Sequence, residues 1–144
     1  LAAAARAAAM AASGREKVLA FGRLAELSAR TGNRDAAAAH LIRTSRSAAV
    51  LLDQLRDRLE CRVHGACIGA GIELPAFACR VVATADALFQ LPEVAMGLIP
   101  GAGGTVSVLR RIGRLRTAYL ALSNRPIDAP TARAWGLVDE IAAG

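Results

Sequence analysis

The sequence predicts an α/β layered fold. Two observations carry that prediction: short apolar strand candidates alternate with helix-forming stretches, and glycine and proline clusters punctuate the boundaries between them. A third observation bounds the size. The 144 residues suit one ordinary domain or a piece of a larger one, and a 54% hydrophobic content is enough to build a core. Alanine supplies much of that content and buries little area, while aromatic residues are only 3% of the chain, so large core anchors are scarce.

The elements follow in order. Leu1 to Ala12 is alanine-dominated and predicts a helix that Gly14 ends. Val18 to Phe21 is a short strand candidate, followed by a helix-compatible stretch from Gly22 to Leu27. Thr31, Gly32 and Asn33 form a turn cluster, and Asp35 is placed to cap the next helix. Apolar residues at 38, 41, 48, 51, 52, 55 and 59 recur at helical spacing, predicting an amphipathic helix from Ala36 to Leu59. A short strand should end at Arg62 and Val63, after which glycines at 65, 69 and 71 loosen the backbone. A helix is expected from Gly71 to about Cys79, with Pro75 tolerated in its first turn. Val81 to Ala83 and Leu88 to Leu91 predict strands, and Thr105 to Ile112 and Leu115 to Leu122 predict helices. Asp128 caps a last short helix, which Gly136 stops just past Trp135.

Composition excludes several classes. No run of about 18 strongly apolar residues is present, so a membrane span is not expected, and the opening alanine tract lacks the pattern of a signal peptide. A cytoplasmic location is the resulting expectation. The net charge of +6 is almost wholly arginine, with Lys17 the only lysine. Those arginines are dispersed and stacking aromatics are nearly absent, which argues for a solvated surface rather than a nucleic-acid interface. The three cysteines, Cys61, Cys67 and Cys79, have neither zinc spacing nor an even count for disulfides and read as small buried thiols. His40 reads as solvated on the amphipathic helix, His64 lies beside the glycine loop, and neither has a metal partner at ligand spacing.

Two glycine-rich stretches carry the chemistry. In the first, HGACIGAGIEL (64–74), Gly69 and Gly71 at a helix start let backbone approach a ligand and leave N–H groups unpaired. Such donors suit a developing oxyanion, the Ala70 N–H is the best placed of them, and Glu73 follows within one turn. The GxG start of a dinucleotide fingerprint is a rival reading, weakened by Leu74 where a third glycine or alanine should stand. In the second, FQLPEVAMGLIPGAGGT (89–105), Pro92 fixes the backbone before Glu93. The turn at Pro100 and Gly101 opens a glycine cluster with no Lys-Ser or Lys-Thr pair behind it, so a P-loop is not supported. Leu91, Val94, Met96 and Leu98 surround Glu93 with apolar side chains, the setting in which a carboxyl holds or passes a proton near neutral pH.

These stretches, with the R-x-I-G step at 110–113 and the A-x-x-W-G-L-V-D close at 132–139, closely resemble the crotonase superfamily of enoyl-CoA hydratases and isomerases. The resemblance runs from about Val63 to Ile141. It implies a crotonase-like ββα-repeat core, a single domain over 1–144 whose part before residue 60 is diverged or shortened, and apparent truncation at both ends. It further implies an acyl-CoA thioester substrate, with coenzyme A part of that substrate and no separate cofactor or metal. Glu73 and Glu93 fall on the paired catalytic glutamates that handle water addition across a 2,3-double bond. The Ala70 N–H falls on one oxyanion donor, and Gly22 is the candidate for the other, in a shortened Phe21–Glu26 segment. Cys67, Gly69, Gly71 and Gly101 line the implied substrate path. Isomerisation of a double bond, or acyl-CoA binding without turnover, are the alternatives. A full-length member would be a homo-trimer or hexamer.

Overall fold

A computed structural model of the chain describes residues 29–142. The chain divides into two compact units between Leu51 and Leu52. The expected elements at Leu1–Ala12, Val18–Phe21 and Gly22–Leu27 lie outside the described residues.

Before the division, the described chain is the helical residues 29–30, a turn and most of helix α1 (Arg34–Leu55). The helix starts earlier than the hydrophobic pattern implies, and its cap is Asn33, whose Oδ1 accepts the Ala36 N–H at 3.1 Å. Asp35 sits instead in the first turn, where its charge still favours the helix dipole. The helix also stops four residues short of Leu59, because Arg56–Arg58 tightens into a 3₁₀ turn. His40 is 5% exposed, so the expectation of a solvated histidine is corrected: it lies one turn from the buried Ala37, on the same face of α1.

The rest is built from repeated strand–strand–helix units. The first comprises β1 (Glu60–Val63), β2 (Ala66–Ile68) and the one-turn helix α2 (Ala70–Glu73). The second comprises β3 (Arg80–Ala83), β4 (Leu88–Gln90) and the long helix α3 (Gly104–Ser123). Corresponding strands pair in parallel, β1 with β3 at Cys61↔Val81 and β2 with β4 at Cys67↔Phe89. Each unit therefore turns a corner and stacks on its predecessor, stitched by the Thr84 N–H to Val63 O and the Leu88 N–H to Gly65 O. A last segment contributes β5 (Ile127–Asp128), antiparallel to β4, then α4 (Ala129–Trp135), then β6 (Glu140–Ile141), parallel to β3. The result is two three-stranded sheets, ordered β1-β3-β6 and β2-β4-β5. This is the expected ββα-repeat core.

Between the layers lie Val81, Phe89, Leu91, Val108 and Leu137, all fully buried. Each such side chain stabilises the fold by about 1.5–3 kcal/mol relative to exposure. Several local signals act as read. Asp128 accepts the Thr131 N–H at 2.9 Å and Gly136 terminates α4 in the left-handed region. The two helices expected on either side of Gly113 are the two arms of α3, which breaks there at φ 77°. The single helix expected from Gly71 to Cys79 divides: α2 ends at Glu73 and a separate 3₁₀ turn covers Pro75–Phe77, because Pro75 offers no N–H to continue the α ladder. The cysteines are not uniformly buried. Cys67 is, Cys61 is half-buried and Cys79 is exposed at the start of β3.

Candidate active site

Gly69 ends the β2 edge and turns the chain into α2. Its N–H donates to Gln90 O at 2.9 Å, and its carbonyl accepts the N–H groups of Ile72 and Glu73 at 2.9 and 3.0 Å. Its φ of 55° lies in the left-handed region, and a Cβ there would fall 2.6 Å from Glu93 Oε1. The positive φ favours glycine, and any side chain here would push the Glu93 carboxyl aside. The effect is to carry the backbone directly beneath the Glu93 carboxyl and to send Glu73 into the interior one turn later.

Glu73 is only 2% exposed. Its Oε2 accepts the Gly104 N–H at 2.7 Å, and its backbone carbonyl accepts the Ser107 hydroxyl at 2.6 Å. Gly104 opens α3 after Gly103, which caps the helix at φ 103°. A Cβ on Gly104 would lie 2.7 Å from Glu73 Cγ, so the carboxyl reaches the helix terminus only because that side chain is missing. The first N–H groups of a helix have no intrahelical acceptor, and here one of them is given to a buried acid.

Glu93 begins a 3₁₀ turn (Glu93–Met96) whose left-handed end at Gly97 returns the Leu98 N–H to Glu93 O at 2.8 Å. Its carboxyl lies close enough to that of Glu73 to raise the Glu73 pKa. Glu93 Oε2 is buried and, among the described residues, receives no N–H or O–H. The apolar setting expected around Glu93 is corrected in part. Leu91 is buried, but Val94, Met96 and Leu98 turn to solvent, because the 3₁₀ turn projects them outward. What buries this carboxyl is instead the Gly69 backbone and its neighbour Glu73.

Burial raises the Glu73 pKa above the usual glutamate range; the Gly104 N–H draws it back, and the adjacent Glu93 carboxyl pushes it up again, against a smaller pull from the Ala102 N–H. Glu73 therefore holds its proton to higher pH than an isolated glutamate does. Such a pair can take a proton at one oxygen and deliver one at the other, which is the requirement of acid/base chemistry on a shared small molecule.

The remaining expected residues divide. The N–H of Ala70, first residue of α2, has no acceptor within its own helix and lies three residues before Glu73. Gly71 and Gly101 are exposed, and neither is sterically compelled to be glycine: a Cβ on Gly71 would meet open space, and one on Gly101 only Ile99 O at 3.6 Å. The Cys67 thiol belongs to the hydrophobic core, where it faces His64 O at 3.6 Å and burial raises its pKa. Any contribution of Cys67 to a ligand is thereby narrowed to its backbone. Gly22 lies outside the described residues. Gly104, Ser107 and Ala102 were not singled out by the sequence, which reads the glycine cluster as a turn and starts the helix one residue late. Among the described residues no group of His, Cys, Asp and Glu gathers as a metal site, and no helix is long and apolar enough to cross a membrane.

Known proteins match both the sequence and the fold. The family profile described as enoyl-CoA hydratase/isomerase matches residues 4–144. A 2,3-dehydroadipyl-CoA hydratase of Escherichia coli is 40% identical over 79 residues, covering 55% of this chain and 31% of that protein. The fatty acid oxidation complex subunit alpha of Vibrio vulnificus is 45% identical over 80 residues, 54% of this chain and 11% of its own length. The crystal structure of an enoyl-CoA hydratase from Thermoplasma volcanium superposes with a TM-score of 0.69 at 33% identity, over 75% of this chain and 44% of that one. The chain thus spans about a third of the hydratase relative and less than half of the solved structure. A profile match over nearly the whole sequence, on a ββα-repeat core shared with solved family members, identifies the chain as a member of the enoyl-CoA hydratase/isomerase family, within the crotonase superfamily.

Proposed function

We propose that this protein adds water reversibly across the 2,3-double bond of an acyl-CoA thioester. The observation that carries the reading is the placing of the Glu73 and Glu93 carboxyls as neighbours, Glu73 accepting the Gly104 N–H and Glu93 lying against the Gly69 backbone. The pair begins with one proton and two water-facing functions. As water oxygen bonds to C3, the ionised carboxyl takes a water proton; the protonated partner delivers its proton to C2. One molecule of water is added, the pair again holds one proton, and no redox step is involved.

Negative charge passes through the thioester oxygen on the way. The Ala70 N–H is the donor assigned to it, with Gly22 the second, and loss of one such donor slows related chemistry about 10²–10³-fold. The backbone of Gly69, Gly71, Cys67 and Gly101 borders the substrate in this reading, coenzyme A enters as part of the substrate, and no further cofactor is required. A homo-trimer or hexamer and a cytoplasmic location complete the proposal.

The test is incubation with crotonyl-CoA, followed by loss of enoyl-thioester absorbance and by chromatography of the products. Formation of 3-hydroxybutyryl-CoA supports hydration. Conversion of a 3-enoyl-CoA to its 2-enoyl isomer without hydration replaces the reading by isomerisation. Saturable CoA-thioester binding with no product assigns a binding role instead.

A further inference from the structure

We propose that Ser107 is a positioning residue that locks the peptide of Glu73 and thereby aims its carboxyl at Glu93. The inference rests on the reading of Glu73 as a proton-handling group and extends it to a side chain that touches no substrate.

The reason lies in how α2 ends. In a continuous α-helix the Phe77 N–H would donate to Glu73 O; here it donates to Leu74 O at 3.2 Å, because the chain has tightened into the 3₁₀ turn over Pro75–Phe77. Pro75 has no N–H to substitute. Glu73 O lies on a buried residue at this junction, and a buried carbonyl without a donor is costly. The Ser107 hydroxyl supplies the donor from the first turn of α3 at 2.6 Å. Its single proton has a second acceptor within reach, Gly103 O at 3.2 Å, but the shorter contact to Glu73 is the better one.

Ser107 is itself 1% exposed, so neither partner exchanges with water. One turn of α3 therefore grips Glu73 at two points, the carboxylate through the Gly104 N–H and the main chain through the Ser107 hydroxyl. With both held, the side chain between them has little rotational freedom left. With only the carboxylate held, the peptide at the α2 end can move relative to Gly69 and so relative to Glu93, and displacements of about 1 Å at a reacting group cost on the order of 10²-fold in rate.

The experiment is a double-substitution cycle on the 144-residue chain with crotonyl-CoA, combined with a carboxyl-¹³C titration of Glu73. Ser107→Ala should lower kcat about 10- to 100-fold with KM little changed. In a Glu73→Gln background the same change should cost no more than about twofold, since the group it aims is already disabled. Ser107→Thr, which keeps the hydroxyl, should recover most of the rate. In the titration, Ser107→Ala should move Glu73 back toward the ordinary glutamate range as water reaches the loosened carboxyl. Equal losses from Ser107→Ala in both backgrounds, or an unmoved Glu73 titration, overturn the proposal. If Glu73→Gln leaves turnover intact, the catalytic reading of Glu73 fails, and the titration, which needs no turnover, still decides the positioning role. Circular dichroism reports whether Ser107→Ala folds; Ser107→Cys, close in volume and a weaker donor, carries the same titration if it does not.

Discussion

Helix α3 meets two clusters of charged side chains two turns apart, and they are built on opposite rules. At Arg111 every interaction is complementary. The guanidinium, 11% exposed, donates through Nε to Ala76 O at 3.1 Å, also to Ala78 O, and pairs with Asp139 at 3.0 Å. Asp139 in turn accepts the Val81 N–H at 2.7 Å, tying β3 to the chain before β6. At the start of the helix, Glu73 is more deeply buried and faces not a cation but a second acid. The Arg111 cluster fastens the loop after α2, α3 and the β6 edge together. The glutamate pair fastens nothing that a hydrophobic pair would not fasten better, and its two glycines are shaped to admit it. Complementary burial reads as architecture, and like-charge burial reads as chemistry.

The contrast can be broken from either side. The largest effect is expected at Glu73→Gln, which should reduce turnover about 10²–10⁴-fold on a crotonyl-CoA assay while leaving the fold intact. Stability should move the other way. Because the folded Glu73 pKa is raised, the folded chain holds more protons than the unfolded one between the ordinary glutamate range and the raised value, and stability falls as pH climbs through that window. The glutamine amide removes that term and can donate to the orphaned Glu93 Oε2, so urea unfolding at neutral pH should show a gain of about 1 kcal/mol.

Arg111→Ala is the converse. It strips donors from the carbonyls of buried Ala76 and Ala78, while the exposed Asp139 keeps the Val81 N–H, and should lower unfolding free energy by about 1–3 kcal/mol. Gly104→Ala lies between the two clusters in kind: the added Cβ meets Glu73 Cγ at 2.7 Å. Calorimetry should show a loss of about 1–3 kcal/mol from overpacking, together with reduced turnover as the carboxyl is displaced. The smallest change, Asp128→Ala, removes the cap on the Thr131 N–H and should lower the Tm slightly with turnover per folded molecule unchanged.

How much of this was legible in the sequence depends on how local the determining chemistry is. The α4 helix was readable to the residue because Asp128 and Gly136 act on their own neighbours. So was the break at Gly113 in α3. β2, β5 and β6 were not, since strands of two or three residues exist only through pairing with segments well away in sequence. The glutamates stood out as acids in apolar, glycine-rich frames, but their proximity is a tertiary fact. Gly104 and Ser107 carried no signal of their own: one looked like turn glycine, the other like a small residue on a helix, and their roles follow from where Glu73 arrives. The outward turn of Val94, Met96 and Leu98 shows the limit of reading burial from neighbours in sequence.

The central claim, that two neighbouring acids share the proton traffic of one hydration, is tested most directly by measuring crotonyl-CoA hydration and CoA-thioester affinity side by side in Glu93→Gln and the parent. The rate should fall by about 10²-fold or more while affinity stays within about threefold, since the proposed mechanism has Glu93 act on water rather than on coenzyme A. Turnover by Glu93→Gln equal to that of the parent contradicts the claim.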